Sequence, residues 1–273
     1  MPSQDSEPRG YEGLYQTFDS PLMRRLREQA YGRDIGQHSW VTAEELLEEL
    51  PRLSLSSASR LLDLGCGPGG PLSFVAGESG CRGTGVDVSG AAVAAAMARA
   101  QKLGLAGSLE FRQADLDQPL PFGEAAFDAA IALDVVLHVR DRAGLFREAA
   151  RVLAPGAPFL FTDAGVITGS VSDEEIRLRC LHGHTRFVPP GFNERLLGEN
   201  GWDVVDTRDR TAGLLANAAG RLEARLAHRA EVEAMEGAEG FERQRLYLAT
   251  VVALSRRGAV SRMSYLARRR KRA

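Results

Sequence analysis

The stretch of sequence that decides the fold runs from Arg60 to Gly70 and is Arg-Leu-Leu-Asp-Leu-Gly-Cys-Gly-Pro-Gly-Gly. A short apolar run that ends in glycines is typical of a buried parallel strand followed by a tight turn. The glycines let backbone N–H groups approach a ligand with no Cβ in the way. Because Gly65, Gly67 and Gly70 also satisfy the dinucleotide pattern G-x-G-x-x-G, this turn predicts a nucleotide-like ligand without identifying it.

Strands and helices alternate on the C-terminal side of this turn. The pattern predicts helices at residues 91–100 and 142–152, and strands at residues 60–64, 83–88, 109–112, 127–133 and 158–163. Such alternation implies right-handed crossovers and a sheet that is covered on both faces. The predicted fold class is therefore α/β, a Rossmann-like, doubly wound, mostly parallel sheet of seven strands with helical insertions.

The chain is predicted to have two parts. Residues 1–50 contain helix patterns and are expected to form an N-terminal helical lid, whereas residues 51–273 are expected to form the ligand-binding domain. Residues 164–190 and 210–257 interrupt the regular alternation, so we interpret them as insertions that cover a substrate pocket. Two further strands are predicted, at residues 202–207 and at residues 262–266.

Composition excludes several classes of protein. With 273 residues, 44% apolar and 26% charged, the chain is typical of a globular protein and not of a disordered or fibrous one. A net charge of -2 argues against a dedicated nucleic-acid binder, and the basic tail at residues 268–272 is interpreted as a solvated end. Three cysteines without a CxxC pair favour a reducing compartment and no metal site. The polar N-terminus and the lack of a long apolar run predict a cytoplasmic protein without membrane contact, and the composition is compatible with a bacterial source.

Two acidic residues follow the second and third predicted strands. Asp87 lies 20 residues after Gly67, where a carboxylate accepts hydrogen bonds from both hydroxyls of a ribose. Asp115 follows the third strand, where its carboxylate would accept from an adenine amino group while Leu116 supplies an apolar face. These positions suit an adenosine-containing ligand.

With these motifs in order, the chain resembles the class I S-adenosylmethionine-dependent methyltransferases. The resemblance rests on Asp63–Gly69, Asp87, Asp115 and the turn at residues 151–156. It implies S-adenosylmethionine as cofactor, with these contacts: Asp63, Gly65, Gly67, Gly69, Asp87, Val88, Asp115, Leu116 and Leu133. A nicotinamide-dependent oxidoreductase is the weaker alternative, because no second mononucleotide-binding half is present in the sequence pattern.

The candidate catalytic residues lie just after the fourth strand, in Leu133-Asp134-Val135-Val136-Leu137-His138-Val139-Arg140-Asp141-Arg142. An unperturbed imidazole with a pKa of ~6.5 suits a general base, which makes His138 the candidate. This run is similar to the phosphoethanolamine methyltransferases and their relatives that act on glycine derivatives. That resemblance implies that His138 is the base, that Asp134 orients a substrate amine, and that residues 31–40 close over the cofactor with Gln37 and His38 as contacts.

The chain departs from those enzymes where their phosphate ligands would lie. Leu178, His182 and His184 do not repeat the family's tyrosines and arginine, which argues against a phosphobase substrate. We predict methyl transfer to an N or O atom of a small molecule, by a monomer or homodimer. An amine is slightly favoured because of Asp134, and natural-product O- or C-methylation and a non-methylating rearrangement or cyclisation are the alternatives. The candidate substrate contacts are Tyr15, Trp40, His182, His184 and Arg186.

Overall fold

A computed structural model describes residues 15–180 and 183–271 of the chain. The strands are β1 (Arg60–Leu64), β2 (Arg82–Asp87), β3 (Leu109–Gln113), β4 (Ala129–Leu133), β5 (Pro158–Ile167), β6 (Trp202–Asp209) and β7 (Val260–Arg269). They form one seven-stranded sheet in the order β3-β2-β1-β4-β5-β7-β6. β7 runs antiparallel to β5 and β6, and the other pairs are parallel. The predicted α/β class with a mostly parallel, seven-stranded sheet is confirmed.

Helices cover both faces of this sheet and extend beyond it. They are α1 (Pro21–Tyr31), α2 (Ala43–Leu53), α3 (Gly70–Ser79), α4 (Gly90–Lys102), α5 (Arg142–Val152), α6 (Asp173–Arg179), α7 (Phe192–Glu199), α8 (Thr211–Ala227) and α9 (Arg229–Arg256). α9 is interrupted at Gly237, whose φ of 76° is not helical. Within residues 15–180 and 183–271, no helix has the length and apolar character needed to cross a bilayer.

The core lies on both faces of the sheet. On one face Phe146, Phe159 and Trp202 belong to a buried cluster, and on the other Leu72 and Ile131 belong to a second. Every residue of β4 is buried. Burial on both faces explains why the central strands are continuous apolar runs without polar alternation.

The C-terminal strands are longer than the sequence predicts. β5 continues to Ile167, so the insertion predicted from residue 164 begins inside a strand, and β7 spans ten residues. The two strands pair from Pro158 with Arg268 to Ile167 with Val260. Arg268 and Arg269 of the predicted solvated tail belong to β7, because a long-range backbone ladder extends the strand past the apolar run, yet the side chain of Arg268 is exposed as predicted.

The N-terminal segment packs on the second predicted insertion. Leu26 of α1 contacts a buried cluster that includes Ala224 and Phe241 from α8 and α9. Trp40 packs in a separate cluster with Leu214 and other residues of these helices. The division into a lid at residues 1–50 and a domain at residues 51–273 remains a prediction, but this packing brings both segments over the end of β4.

Candidate functional site

A cleft of about 1470 Å³ opens at the carboxyl ends of β1, β2 and β4. Gly65 after β1, Asp87 at the end of β2 and Asp134 after β4 all line it. This is the edge at which open α/β sheets bind ligands. Because pockets for one small ligand measure roughly 300–1,000 Å³, the cleft has room for a cofactor and a second small molecule.

The turn after β1 requires glycine at two positions. Gly65 has a φ of 75°, and a Cβ there would lie 2.3 Å from a methyl carbon of Val135. Gly67 has a φ of 51°, and its backbone N–H donates to Oδ2 of Asp87 at 2.9 Å. The backbone N–H of Ser89 donates to the other oxygen, Oδ1, at 2.9 Å. The Asp87 carboxylate is therefore oriented at the cleft by backbone groups on both sides.

Asp63 contributes a buried carboxyl group to the same end of the cleft. Its side chain lines the cleft, and its Oδ2 has no hydrogen-bond partner within the described part of the chain. Burial, and secondarily the nearby Asp87 carboxylate, raise the pKa of Asp63 to about 8. A ligand that places a positively charged amino group here would supply the missing partner and favour the ionised carboxylate.

An exposed apolar residue and an acid lie side by side beyond Asp87. Val88 is 47% exposed and lines the cleft together with Asp115 and Leu133. Oδ1 of Asp115 accepts a hydrogen bond of 2.9 Å from the backbone N–H of Asp117. A flat aromatic ring with an amino group fits this combination of an apolar face and an acceptor.

Three residues predicted to contact the cofactor lie elsewhere. A Cβ on Gly69 would be 2.8 Å from that of Ala96, so this glycine serves the packing of α3 against α4. Leu116 is buried in the core and does not line the cleft. Gln37 is fully buried, and its Oε1 accepts from the backbone N–H of Ile35. None of these three residues lines the cleft, because spacing along the chain does not show which face of a turn a residue occupies, and their contact with the cofactor remains a prediction.

His138 lies in the cleft on a short 3-10 turn after β4. Its Nδ1 is 2.9 Å from the backbone carbonyl oxygen of His184. Because a carbonyl only accepts, Nδ1 must carry the hydrogen, and in the neutral ring the lone pair is on Nε2. Burial lowers the pKa of His138, so the ring is held in this neutral form near pH 7. The arrangement suits a general base.

A buried polar network supports the loop that contacts His138. Arg142 forms an ion pair of 2.7 Å with Asp163 and donates to the amide oxygen of Asn193, and all three side chains are buried. Arg142 also donates to the backbone carbonyl of Arg186, whose own N–H donates to Leu137 at 2.7 Å. The loop is thereby attached to the turn that carries His138.

The predicted substrate contacts are only partly brought together. Tyr15, Trp40 and His184 line the cleft, and His182 lies outside the described residues. Arg186 is not among the residues that line the cleft and its guanidinium lies over the ring of Phe192, so its role as a substrate contact remains a prediction.

Asp134 is engaged by the protein itself. It has a φ of 56°, and its Oδ1 lies 2.8 Å from Nε of Arg262 and accepts from the hydroxyl of Thr162 at 2.9 Å. Its Oδ2 accepts from the backbone N–H of Trp40. The amine-orienting role of Asp134 therefore remains a prediction, and in this structure Arg262 pairs with the carboxylate and both oxygens have partners within the protein.

Arg262 links three distant segments. Its Nη1 lies 2.8 Å from both carboxylate oxygens of Glu45 on α2, and its Nε contacts Asp134. Burial raises the pKa of Glu45, although the Arg262 charge opposes this effect. Sequence reasoning missed this cluster because its members are 128 and 217 residues apart and belong to no local motif.

Aromatic and arginine side chains form one wall of the cleft. Trp40 stacks on Tyr247 with ring centroids 6.3 Å apart, and the guanidinium of Arg221 lies 4.8 Å from the centre of the Trp40 ring. Arg179 donates to the hydroxyl of Tyr247 at 3.0 Å. On the other side, the Tyr15 ring lies 5.8 Å from His38, which was predicted as a cofactor contact and also lines the cleft. Arg221 and Tyr247 were missed because they lie on long helices without a motif.

The described residues hold no group of three or more His, Cys, Asp or Glu side chains that could bind a metal ion. The cleft thus described has two chemically different ends. One end is acidic and rich in glycine, and the other end carries histidines, aromatic rings and arginine.

Comparison of the sequence with known proteins finds methyltransferases. Residues 62–161 match the family model described as a methyltransferase domain. The chain is 33% identical over 186 residues to O-methyltransferase rstn1 from Aspergillus nomiae, an alignment that covers 65% of this chain and 80% of that protein. The chain spans less than two thirds of most of the curated relatives it matches, for example 63% of an O-methyltransferase from Pyrenophora dematioidea that is 31% identical over 62% of this chain.

Solved structures share the fold. The cyclopropane synthase MmaA2 from Mycobacterium tuberculosis superposes with a TM-score of 0.81 at 16% identity, covering 97% of this chain and 99% of that one. Phosphoethanolamine N-methyltransferase 2 from Haemonchus contortus gives a TM-score of 0.79 at 20% identity, covering 96% of this chain and 60% of the other.

Proposed function

The chain belongs to the S-adenosylmethionine-dependent methyltransferases, and from that premise we propose that it transfers a methyl group to a hydroxyl oxygen of a small molecule. Its cofactor is S-adenosylmethionine. When bound, this cofactor supplies an electrophilic methyl group on a sulfonium whose departure as a neutral thioether needs no general acid.

The acidic, glycine-rich end of the cleft fits the cofactor. The unpartnered Oδ2 of Asp63 suits the amino group of the methionine part, and the Asp87 carboxylate suits the ribose hydroxyls. Val88 and Asp115 suit the face and the amino group of adenine, respectively. Gly65 and Gly67 keep the backbone close to the ligand, where a side chain would intrude.

His138 is proposed to act as the general base. Its Nε2 accepts the proton of the acceptor hydroxyl as the oxygen attacks the methyl group, and the carbonyl of His184 stabilises the resulting imidazolium through Nδ1–H. This hydrogen bond to His184 within the cleft is the observation on which the proposal depends. A base of this kind contributes about 10²–10⁴-fold to the rate.

A hydroxyl acceptor is favoured over an amine. The sequence favoured an amine only because Asp134 was available as an anion, and in the structure Arg262, Thr162 and the backbone N–H of Trp40 occupy the oxygens of that carboxylate. A hydroxyl with a high pKa needs proton removal, which a neutral histidine provides. The O-methyltransferases among the relatives support the same choice. A bacterial source, a cytoplasmic location and a monomeric or homodimeric state remain predictions from the sequence.

The test uses His138→Asn, with His228→Asn as the matched control because His228 lies outside the cleft. Transfer from methyl-labelled cofactor is measured on panels of small phenols, alcohols and amines, and cofactor binding is measured by calorimetry. We expect a methylated hydroxyl product, demethylated cofactor in equal amount, and a loss of about 10²–10⁴-fold in kcat only in His138→Asn. Methylation of amines alone, product without demethylated cofactor, or full activity of His138→Asn would overturn the proposal.

A further inference from the structure

We propose that the acceptor carries an anionic group, a carboxylate or a phosphate, and that Arg221 binds it. This inference rests on the proposed function, because it assigns the substrate class of the same cleft. It depends on an arginine that lines the cleft and has no acidic partner among residues 15–180 and 183–271.

Arg221 lies at the junction of two cavities. It is half-buried on α8 and lines both the main cleft and a smaller cavity between α1, α8 and α9. His38 lines both cavities as well. The guanidinium of Arg221 therefore lies beside Trp40, where the N-terminal segment and α8 meet at the cleft, and we place the acceptor there.

The carboxylates that line these cavities near Arg221 are already paired. Asp134 is bound by Arg262 and Glu236 by Arg225. Within the described part of the chain, no Asp or Glu lies within ion-pair distance of Arg221. Most arginines that line a cleft are compensated in this way, and a partly desolvated charge without a partner is costly. A ligand anion would remove that cost.

The contacts of Arg221 orient it for such a ligand. Its guanidinium lies over the face of Trp40 at 4.8 Å and interacts electrostatically with Tyr31, whose hydroxyl donates to the carbonyl of Ser39. Stacking uses the face of the guanidinium, whereas its N–H groups point outward in the plane. The remaining N–H groups are therefore suited to a two-pronged contact with a carboxylate or phosphate.

The distribution of charge over the cleft agrees with this assignment. Asp63, Asp87 and Asp115 line the cleft at the proposed cofactor end. At the second end, Arg221 lines the cleft together with Trp40 and His38, and Asp134 is paired with Arg262. An anionic acceptor is attracted to the second end and repelled from the first, which fixes its direction of binding.

The experiment measures binding and not turnover. The protein saturated with S-adenosylhomocysteine is titrated by calorimetry with benzoate, with phenyl phosphate and with benzamide, a neutral molecule of the same shape as benzoate. We expect at least one anion to bind in about the millimolar range and benzamide to bind about tenfold more weakly or not at all. The relative affinities of benzoate and phenyl phosphate identify the carboxylate or the phosphate as the preferred group.

Three variants make the test specific. Arg221→Gln should lose the preference for the anion, and Arg221→Lys should keep part of it because the charge remains without the planar fork. Arg243→Gln is the control, because Arg243 is a solvated arginine on α9 paired with Glu239. Thermal unfolding checks that each variant is folded.

Equal binding of benzoate and benzamide, no binding of either anion, or an unchanged preference in Arg221→Gln would overturn the inference. These results leave the proposed function intact, because that function fails separately, through the absence of cofactor binding or of methyl transfer.

Discussion

The backbone N–H of Trp40 donates a 2.9 Å hydrogen bond to Oδ2 of Asp134, joining residues 94 positions apart. Trp40 belongs to the N-terminal segment that covers the cleft, and Asp134 directly follows β4. The backbone carbonyl of Trp40 also accepts from the side chain of Asn217 on α8. The N-terminal segment is therefore attached to the end of β4 through a single residue, Trp40.

We expect Asp134→Asn to destabilise the fold. The substitution leaves Arg262 with one carboxylate partner, Glu45, and removing one member of a buried ion pair typically costs about 3–5 kcal/mol. Chemical denaturation measures the change, with Asp128→Asn as control because Asp128 pairs with Arg60 on the surface. An unchanged free energy of unfolding would show that the ion pair between Asp134 and Arg262 does not stabilise the fold.

Asp63 should make the stability of the cofactor-free protein depend on pH. Its pKa is about 8 in the folded state against 3.8 as the ordinary value, so the folded protein binds more protons between these values. Its free energy of unfolding therefore falls as pH rises through this range. Relative to Asp63→Asn, we expect a fall of up to about 4 kcal/mol between about pH 5 and pH 8, at about 1.4 kcal/mol per pKa unit.

Denaturation of both proteins over this pH range measures the difference. Bound cofactor should reduce the pH dependence of the wild type, because its amino group favours the ionised carboxylate. Parallel curves for wild type and variant would contradict the raised pKa.

His138 should keep methyl transfer active at moderately acidic pH. Burial lowers the pKa of this imidazole from its ordinary value of 6.5, so Nε2 remains unprotonated to a lower pH. We expect kcat/KM to be constant near neutral pH and to fall tenfold per pH unit below a midpoint under 6.5. A pH series of initial rates at saturating cofactor tests this, and a midpoint above 6.5 would contradict the burial effect.

Gly65→Ala should disrupt the turn after β1. The φ of 75° strains any residue with a Cβ, and the added carbon would lie 2.3 Å from Val135. We expect loss of cofactor binding by calorimetry and destabilisation by about 1–3 kcal/mol. The control is Gly77→Ala, because Gly77 lies within α3 with nothing near its added Cβ, and we expect that change to stabilise by about 0.5–1 kcal/mol. Equal behaviour of the two variants would show that the turn tolerates a side chain.

Much of the cofactor end of the site was predictable from sequence. The glycine turn after β1 and the acids Asp87 and Asp115 are local features, because the ends of neighbouring parallel strands always meet at one edge of the sheet. Leu116 shows the limit of that reasoning. It follows Asp115 directly, yet its side chain turns into the core, and Val88 provides the apolar face instead.

The sequence by itself determined the strand–helix alternation, the α/β class and the position of the cofactor cleft, because these follow from short-range periodicity and from glycines at fixed turns. Only the tertiary structure determined which charged side chains pair with one another and which are buried. In the structure Asp134 pairs with Arg262, and Nδ1 of His138 contacts the carbonyl of His184. Arg221 stacks on Trp40 and has no acidic partner among the described residues. Ion pairs and burial depend on segments far apart in the chain, and no local pattern encodes which charges meet there.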